Sequence, residues 1–243
     1  MPKVSVVIPT YNRANLLVSA VSSVLDQSYS DSEIVIVDDG SNDDTEERIK
    51  ALGESRIKYF RNSVNKGVSA VRNIGITNSA GEYIAFLDDD DEWLPSKLEK
   101  QVDILDGLST ETGLVYTGVL SVDLDTGRLI ETVVPRHRGK VLDDLVFSNF
   151  IPTSSVLVRK ECFTTIGLFD ESLAYGEDFD LWIRISSKYS VDYIEEPLVI
   201  HKDHRRTTTA NNSLVAVNVR RILEKHSALF ASNKKGLSNY LLK

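Results

Sequence analysis

Four consecutive carboxylates, Asp88, Asp89, Asp90 and Asp91, form the densest group of chemistry-bearing side chains in this sequence. Unit charges about 4 Å apart repel by about 1 kcal/mol even in water, so solvent, a basic partner or a divalent cation must hold them. They follow "YIAFL", which reads as a buried strand. In an extended segment side chains alternate, which puts Asp88 and Asp90 on one face and Asp89 and Asp91 on the other. Two carboxylates in that relation can hold a hard, oxygen-seeking cation such as Mg²⁺ or Mn²⁺. A solvated acidic turn is the plain alternative, and the position after a buried strand weighs against it. A phosphatase of the D-x-D-x-[TV] type also sets paired Asp after a strand, but Glu92 occupies its Thr/Val position.

Four more groupings carry chemistry. In "VDDGS" either Asp38 or Asp39 can cap the following helix, which leaves the other free to accept from a ligand such as the imide N–H of uracil. Just upstream, "PTYNR" offers the Tyr11 ring and hydroxyl beside backbone N–H groups that can face an anion; loop packing is its alternative. "YGEDFDLWIR" sets Glu177, Asp178 and Asp180 at a helix start, where the dipole stabilises acids with no function implied. One of them could equally be a general base for an alcohol. Finally, "HKDHRR" places His201 and His204 within reach of one cation, and Lys202, Arg205 and Arg206 where they could neutralise a leaving diphosphate, although a solvated basic loop has the same composition.

The elements that must position these residues follow from periodicity. "KVSVVIP", "EIVIVDD", "RIKYFRN" and "EYIAFL" are apolar or β-branched runs, as in strands of a parallel sheet. The segments between them, "RANLLVSAVSSVLDQ", "DDTEERIKAL" and "KGVSAVRNIGITNS", have helical spacing. Strand and helix alternate over the first hundred residues, which implies right-handed βαβ units in an open sheet. Ligands of such sheets bind beyond the carboxyl ends of the strands, where Tyr11, Asp39 and Asp88 to Asp91 lie. "LPSKLEKQVDILDGL" is an amphipathic helix. After it "GLVYTGVLSVD" and "RLIETVV" predict antiparallel strands, "SSVLVRK" a strand, "EDFDLWIRISSKY" a helix and "VDYIEEPLVIHK" one or two strands. A last helix is expected over 211–232. The fold class is therefore α/β, a Rossmann-like open twisted sheet, mostly parallel and flanked by helices, with a smaller antiparallel portion in the second half. No Pro/Gly-rich linker divides the chain, so 1–243 is expected to be one domain. Within it, 1–100 forms the binding half, 101–205 completes the site and 206–243 is a helical tail.

Over 243 residues the composition is that of a globular protein, 42% hydrophobic and 26% charged. The net charge of −8 excludes broad nucleic-acid binding, which needs a basic face. The single cysteine, Cys162, allows no internal disulfide, and neither a signal-peptide pattern nor an apolar run of membrane-spanning length is present. The expected location is cytoplasmic, with peripheral contact at the inner face of a membrane through the Lys-rich end. No G-x-x-x-x-G-K-[ST] or G-x-G-x-x-G occurs, so P-loop and dinucleotide readings lose their support.

In family order and spacing, "VSVVIPTYNR", "IVIVDDGSNDDT", "NKGVSAVRNIGI", "GEYIAFLDDDDEWLP" and "GEDFDLWIR" resemble an inverting glycosyltransferase of family 2 with the GT-A fold, over roughly residues 3–185. The resemblance implies transfer of one sugar from a nucleotide diphosphate sugar, a UDP-sugar, to a glycan or lipid-linked acceptor in cell-surface polysaccharide or lipid-linked glycan synthesis. It implies Pro9, Tyr11, Asp39, Arg72, Asp88 and Asp89 on the donor, Asp90 as direct ligand of Mn²⁺ or Mg²⁺ with His204 as a second, and Asp178 as base with Glu177 as fallback. The chain departs from the family pattern in the charge at Asp89 and in having no Q-x-x-R-W, the signature of processive members. A nucleotidyltransferase usually opens with a Gly-rich loop, which "VVIPTYNRANLL" is not. A non-catalytic nucleotide-sugar binder would have no use for the Glu177–Asp178 pair.

Overall fold

Strand β1 (Val4–Thr10) is buried along its whole length, because apolar side chains on both faces demand cover on both. The computed structural model, which describes residues 1–203 and 212–232, supplies that cover with helices. After β1 come α1 (Ala14–Leu25), β2 (Ser32–Asp38), α2 (Thr45–Ala51), β3 (Ile57–Arg61), α3 (Val68–Asn78) and β4 (Tyr83–Phe86). The four strands are parallel in the order β3-β2-β1-β4. Thr10 pairs with Asp38 and Val7 with Phe86, so their carboxyl ends open at one edge.

The second half continues the sheet with mixed directions. It contains β5 (Glu92–Trp93), α4 (Lys97–Gly107), β6 (Thr112–Asp123), β7 (Leu129–Val133), α5 (Leu142–Phe147), a 3₁₀ turn at Thr153–Ser155, β8 (Leu157–Arg159), α6 (Lys160–Ile166), α7 (Glu177–Ser186) and β9 (Ser190–Asp203). Beyond β4 the order is β8-β6-β9-β5, with β7 antiparallel to β6. Strands β6 and β9 are parallel, whereas β8 runs against both β4 and β6. Alternation along the strands divides the core into two layers. Val6, Ile8, Ile36 and Ala85 face Leu17 of α1 and Leu98 of α4. Val7, Val35 and Phe86 face Val71 of α3 and Leu181 and Trp182 of α7.

The α/β class and the parallel first half agree with the sequence reading. Strand β5 and helices α5 and α6 were not anticipated, because each is too short to show a period. The expected helix over 211–232 is two segments, α8 (Asn212–Lys225) and α9 (Ser227–Ser232). At the break the winding tightens: the Leu229 N–H meets His226 O at 2.9 Å, while the His226 ring turns to Asp180.

Candidate functional site

At the end of β2 the two acids divide their work. Asp38, fully buried, accepts from the Ser41 N–H at 2.8 Å and from the Tyr59 hydroxyl, closing the β2–α2 turn. Asp39 Oδ1 accepts from Asn62 Nδ2 at 2.8 Å and from the Lys66 N–H at 2.9 Å, and Oδ2 accepts from the Gly67 N–H at 2.8 Å. Its carboxylate thus organises the loop that leads into α3. With three donors already on its two oxygens, Asp39 could take a base only by displacing part of that loop. Pro9 lies buried in β1 opposite Val37, and Tyr11 projects from the strand end, 46% exposed. The chain then turns at Asn12, whose φ of 54° is tolerated by a short polar side chain. Asn12 donates its N–H to Ser41 Oγ and accepts from the Asn42 N–H, both at 2.8 Å, which ties the β1–α1 and β2–α2 loops together.

The run Asp88 to Asp91 is not extended. The Asp91 N–H reaches Asp88 O at 3.1 Å, closing a turn, so the alternation expected of a strand does not apply. The turn aims the four carboxylates at different partners, and that is how their repulsion is met. Asp88 Oδ1 receives Arg72 Nη2 at 2.6 Å. Asp89 receives the Thr10 hydroxyl at 2.7 Å and shares Arg13 Nη1 with Asp90, at 3.0 and 2.8 Å. Asp91 accepts from the Ser154 hydroxyl and meets His201 Nδ1 at 2.9 Å. Burial pushes the Asp89 carboxyl up to about 6 against the pull of Arg13, and pushes Asp91 up as well. The bond to Asp91 in turn raises His201 to about 9, so this imidazole carries a proton at neutral pH.

Arg72 joins this corner to the start of α7. It is 3% exposed, and its guanidinium reaches Asp88 Oδ1 and Glu177 Oε1, both at 2.6 Å. Two carboxylates hold it protonated against the cost of burial. Helix α7 begins after Gly176 at φ 72°, a left-handed residue that lets the chain enter the helix with both acids in its first turn. Asp178, next to Glu177, accepts from Asn149 Nδ2 at 3.2 Å and from the Thr153 hydroxyl at 3.3 Å. Burial first, and the adjacent Glu177 second, push its carboxyl up to about 6, while Arg72 opposes them. The third acid, Asp180, points away into a buried cluster with Arg184, Lys225 and His226, which hold it far below the usual carboxylate range.

The structure therefore brings Asp88, Asp89, Asp90, Arg72, Glu177 and Asp178 into one connected network, and it places Pro9, Tyr11 and Asp39 at the neighbouring strand ends. His204, Arg205 and Arg206 lie outside the described residues. Sequence reasoning missed Arg13, the counter-ion of Asp89 and Asp90, although it stands in the "PTYNR" already singled out. It also missed Ser154, which donates to Asp91 and whose Oγ accepts the Asp88 N–H at 3.1 Å; a serine on a 3₁₀ turn carries no sequence signal.

Residues 5–161 match the family described as Glycosyl transferase family 2. The chain belongs to this family. An uncharacterized glycosyltransferase of Rickettsia typhi is 36% identical over 98% of this chain and 73% of its own length. WfgD of Escherichia coli, named a UDP-Glc:alpha-D-GlcNAc-diphosphoundecaprenol beta-1,3-glucosyltransferase, is 29% identical over 79% of this chain and 72% of its own. Among solved structures, the mannosyltransferase PcManGT of Pyrobaculum calidifontis, in complex with GDP-Man and Mn²⁺, superposes with a TM-score of 0.73 at 18% identity, covering 99% of this chain and 70% of that one. The fold of this family 2 chain is accordingly GT-A. In its network the side chains suited to a divalent cation are Asp90 and Asp88. Among the described residues no three His, Cys, Asp or Glu side chains are grouped to enclose an ion. A hard cation such as Mg²⁺ is commonly held by one or two carboxylates, with water and substrate phosphates completing its shell. Asp90 is held by Arg13, whose side chain is 45% exposed.

Proposed function

We propose that this chain transfers one sugar from a UDP-sugar to an acceptor hydroxyl, with inversion at the anomeric carbon and with Mg²⁺ or Mn²⁺ as cofactor. The observation that carries the reading is the Arg72 bridge, which couples Asp88 at the donor edge of the sheet to Glu177 and hence to Asp178. A general base and a donor corner are useful to each other only when held at fixed spacing, and a buried, doubly paired guanidinium provides that. On this reading Asp178 takes the proton of the acceptor hydroxyl as its oxygen forms the new bond to the anomeric carbon. The bond from that carbon to the diphosphate breaks, its electrons leaving with the phosphate oxygen. When bound, the cation held by Asp90 and Asp88 neutralises charge on the diphosphate. Asn149 and Thr153 keep the base oriented, and Pro9, Tyr11 and Asp39 line the place for the nucleoside. His204 is proposed as a second contact to the cation or diphosphate.

The UDP preference is supported by the name of WfgD, and the acceptor we propose is a lipid-linked or polysaccharide precursor of the kind that name describes. No helix of the described residues is long and apolar enough to cross a membrane. Titration calorimetry with UDP-glucose, UDP-GlcNAc and GDP-mannose, each with and without Mn²⁺, tests the reading. A UDP-sugar should bind at least roughly tenfold tighter with the ion, a gain of about 1.4 kcal/mol. Asp90→Ala should abolish that gain, and a gain surviving in the variant defeats the metal assignment.

A further inference from the structure

Lys97, the first residue of α4, is fully buried. No carboxylate pairs with its amine among the described residues, and burial lowers that amine well below the ordinary lysine range. It also stands at the end of the helix where the dipole disfavours a cation. Burying an amine without an anion costs stability, so packing alone gives no reason for a lysine there. Its contacts are specific. Nζ lies 3.8 Å from the centroid of the Trp93 ring and donates to Gln101 Oε1 at 2.7 Å.

Both partners reach the same short turn. Trp93 Nε1 donates to Ser154 O at 2.8 Å, and Gln101 Nε2 donates to Ser155 O at 2.9 Å and to Val115 O of β6 at 3.0 Å. Two carbonyls on one side of the Gln101 amide and an amine on the other fix its orientation. Without the amine, Oε1 is a buried acceptor lacking a donor, which frees Gln101 to turn from the carbonyls. The other side of the turn faces the site. The Thr153 hydroxyl donates to Asp178 at 3.3 Å, and Ser154 Oγ donates to Asp91 and accepts the Asp88 N–H. The acidic corner has further holds in Arg72, Arg13 and His201. Asp178 depends more on the turn, because among the described residues its side-chain donors are Asn149 and Thr153.

We propose that Lys97 is a positioning residue: through the Gln101 amide and the Trp93 indole it fixes the turn 153–155, and with it the Thr153 hydroxyl on Asp178. That this serves sugar transfer rests on the transferase reading above, whereas the hold on the turn does not. The test uses the full chain. It has two tryptophans, Trp93 and Trp182, so the Trp93 indole N–H signal is identified by its loss in Trp93→Phe. In Lys97→Met that N–H should exchange with deuterium at least about tenfold faster, while the amides of β1, a strand paired on both sides, keep their protection and show that the variant folds. With UDP-glucose or UDP-GlcNAc and Mn²⁺, kcat for UDP release should fall at least about tenfold, and UDP affinity should change by less than about threefold. The acid limb of kcat/KM, set near pH 6 by Asp178 beside Glu177 and Arg72, should move upward, because a donor to the charged carboxylate is lost. Gln101→Glu keeps a partner for Lys97 but turns an oxygen onto Ser155 O, so it should act in the same way, and it carries the test if Lys97→Met leaves β1 unprotected. Unchanged Trp93 exchange in both variants, or faster exchange with kcat and the acid limb unchanged, overturns the proposal. So does an equal loss of kcat and UDP affinity, which would make Lys97 a support of the whole fold. Faster Trp93 exchange with β1 protected, in a protein that binds no nucleotide sugar, supports the hold on the turn and fails the transferase reading alone.

Discussion

Asp178 is costly to hold as a charge. Its carboxyl stands at about 6 because burial and Glu177 disfavour the ionised form. A carboxyl raised in the folded state above its unfolded value loses stability for the fold as pH rises through that interval, so at pH 7 the ionised group is a net cost. Two consequences follow for one substitution. Asp178→Asn should abolish turnover, since an amide takes up no proton, and should also raise stability at pH 7 by on the order of 1–3 kcal/mol, read as a higher Tm. A residue with only a structural role would lose both. In the unaltered enzyme kcat/KM should fall about tenfold per pH unit below pH 6 as the base becomes protonated; a profile flat down to pH 4.5 would remove Asp178 from that role. That both acids of the pair stand at a helix start was legible in the sequence. The partners that set their charge, Arg72, Asn149 and Thr153, come from distant parts of the chain and were not.

At the scale of elements, α3 matters because it delivers Arg72 to the site. It packs on β1 at Gly75, where an added Cβ would lie 2.3 Å from Val7 Cγ1. No side chain fits there unless the helix backs away. Gly75→Val should therefore cost roughly 1–3 kcal/mol by overpacking and should lower turnover more than that loss explains, because Arg72 lies one turn earlier on the same helix. Gly107→Ala is the comparison: nothing lies within 4 Å of a Cβ added there, and its Tm and activity should be unchanged or slightly raised. Equal effects of the two substitutions would show that the α3–β1 approach is slack. Periodicity revealed α3 in the sequence, whereas the closeness of its packing depends on which strand it meets.

Across the whole molecule, the C-terminal helices α8 and α9, as far as residues 212–232 are described, pack on the side of the proposed base. Ile222 and Phe230 pack on Phe179 and Ile183 of α7. The Asn218 side chain accepts from the Ala174 N–H at 3.0 Å, and Lys225 and His226 reach Asp180 Oδ1 at 2.9 and 2.8 Å. Each contact falls within a few residues of Glu177 and Asp178. Deleting residues 212–243 uncovers two large apolar side chains at about 1.5–3 kcal/mol each, so Tm should drop by on the order of 10 °C. UDP affinity with Mn²⁺ should change by less than about threefold, while kcat falls by tenfold or more. If affinity and kcat fell together, the tail would be holding the entire fold and not α7.

The sequence by itself determined the α/β class, the strand ends that carry the candidate site and the acidic groups that gather there, because hydrophobic period and local charge are properties of neighbouring residues. Tertiary structure decided the rest. The four-carboxylate run is a turn because Arg13, Arg72, Ser154 and His201, spread over almost two hundred residues, converge on it. Asp39 serves a loop because residues 62–67 fold back over β2. Pairings between residues far apart in the chain arise only when the sheet closes its order, and no periodicity of a single segment records them.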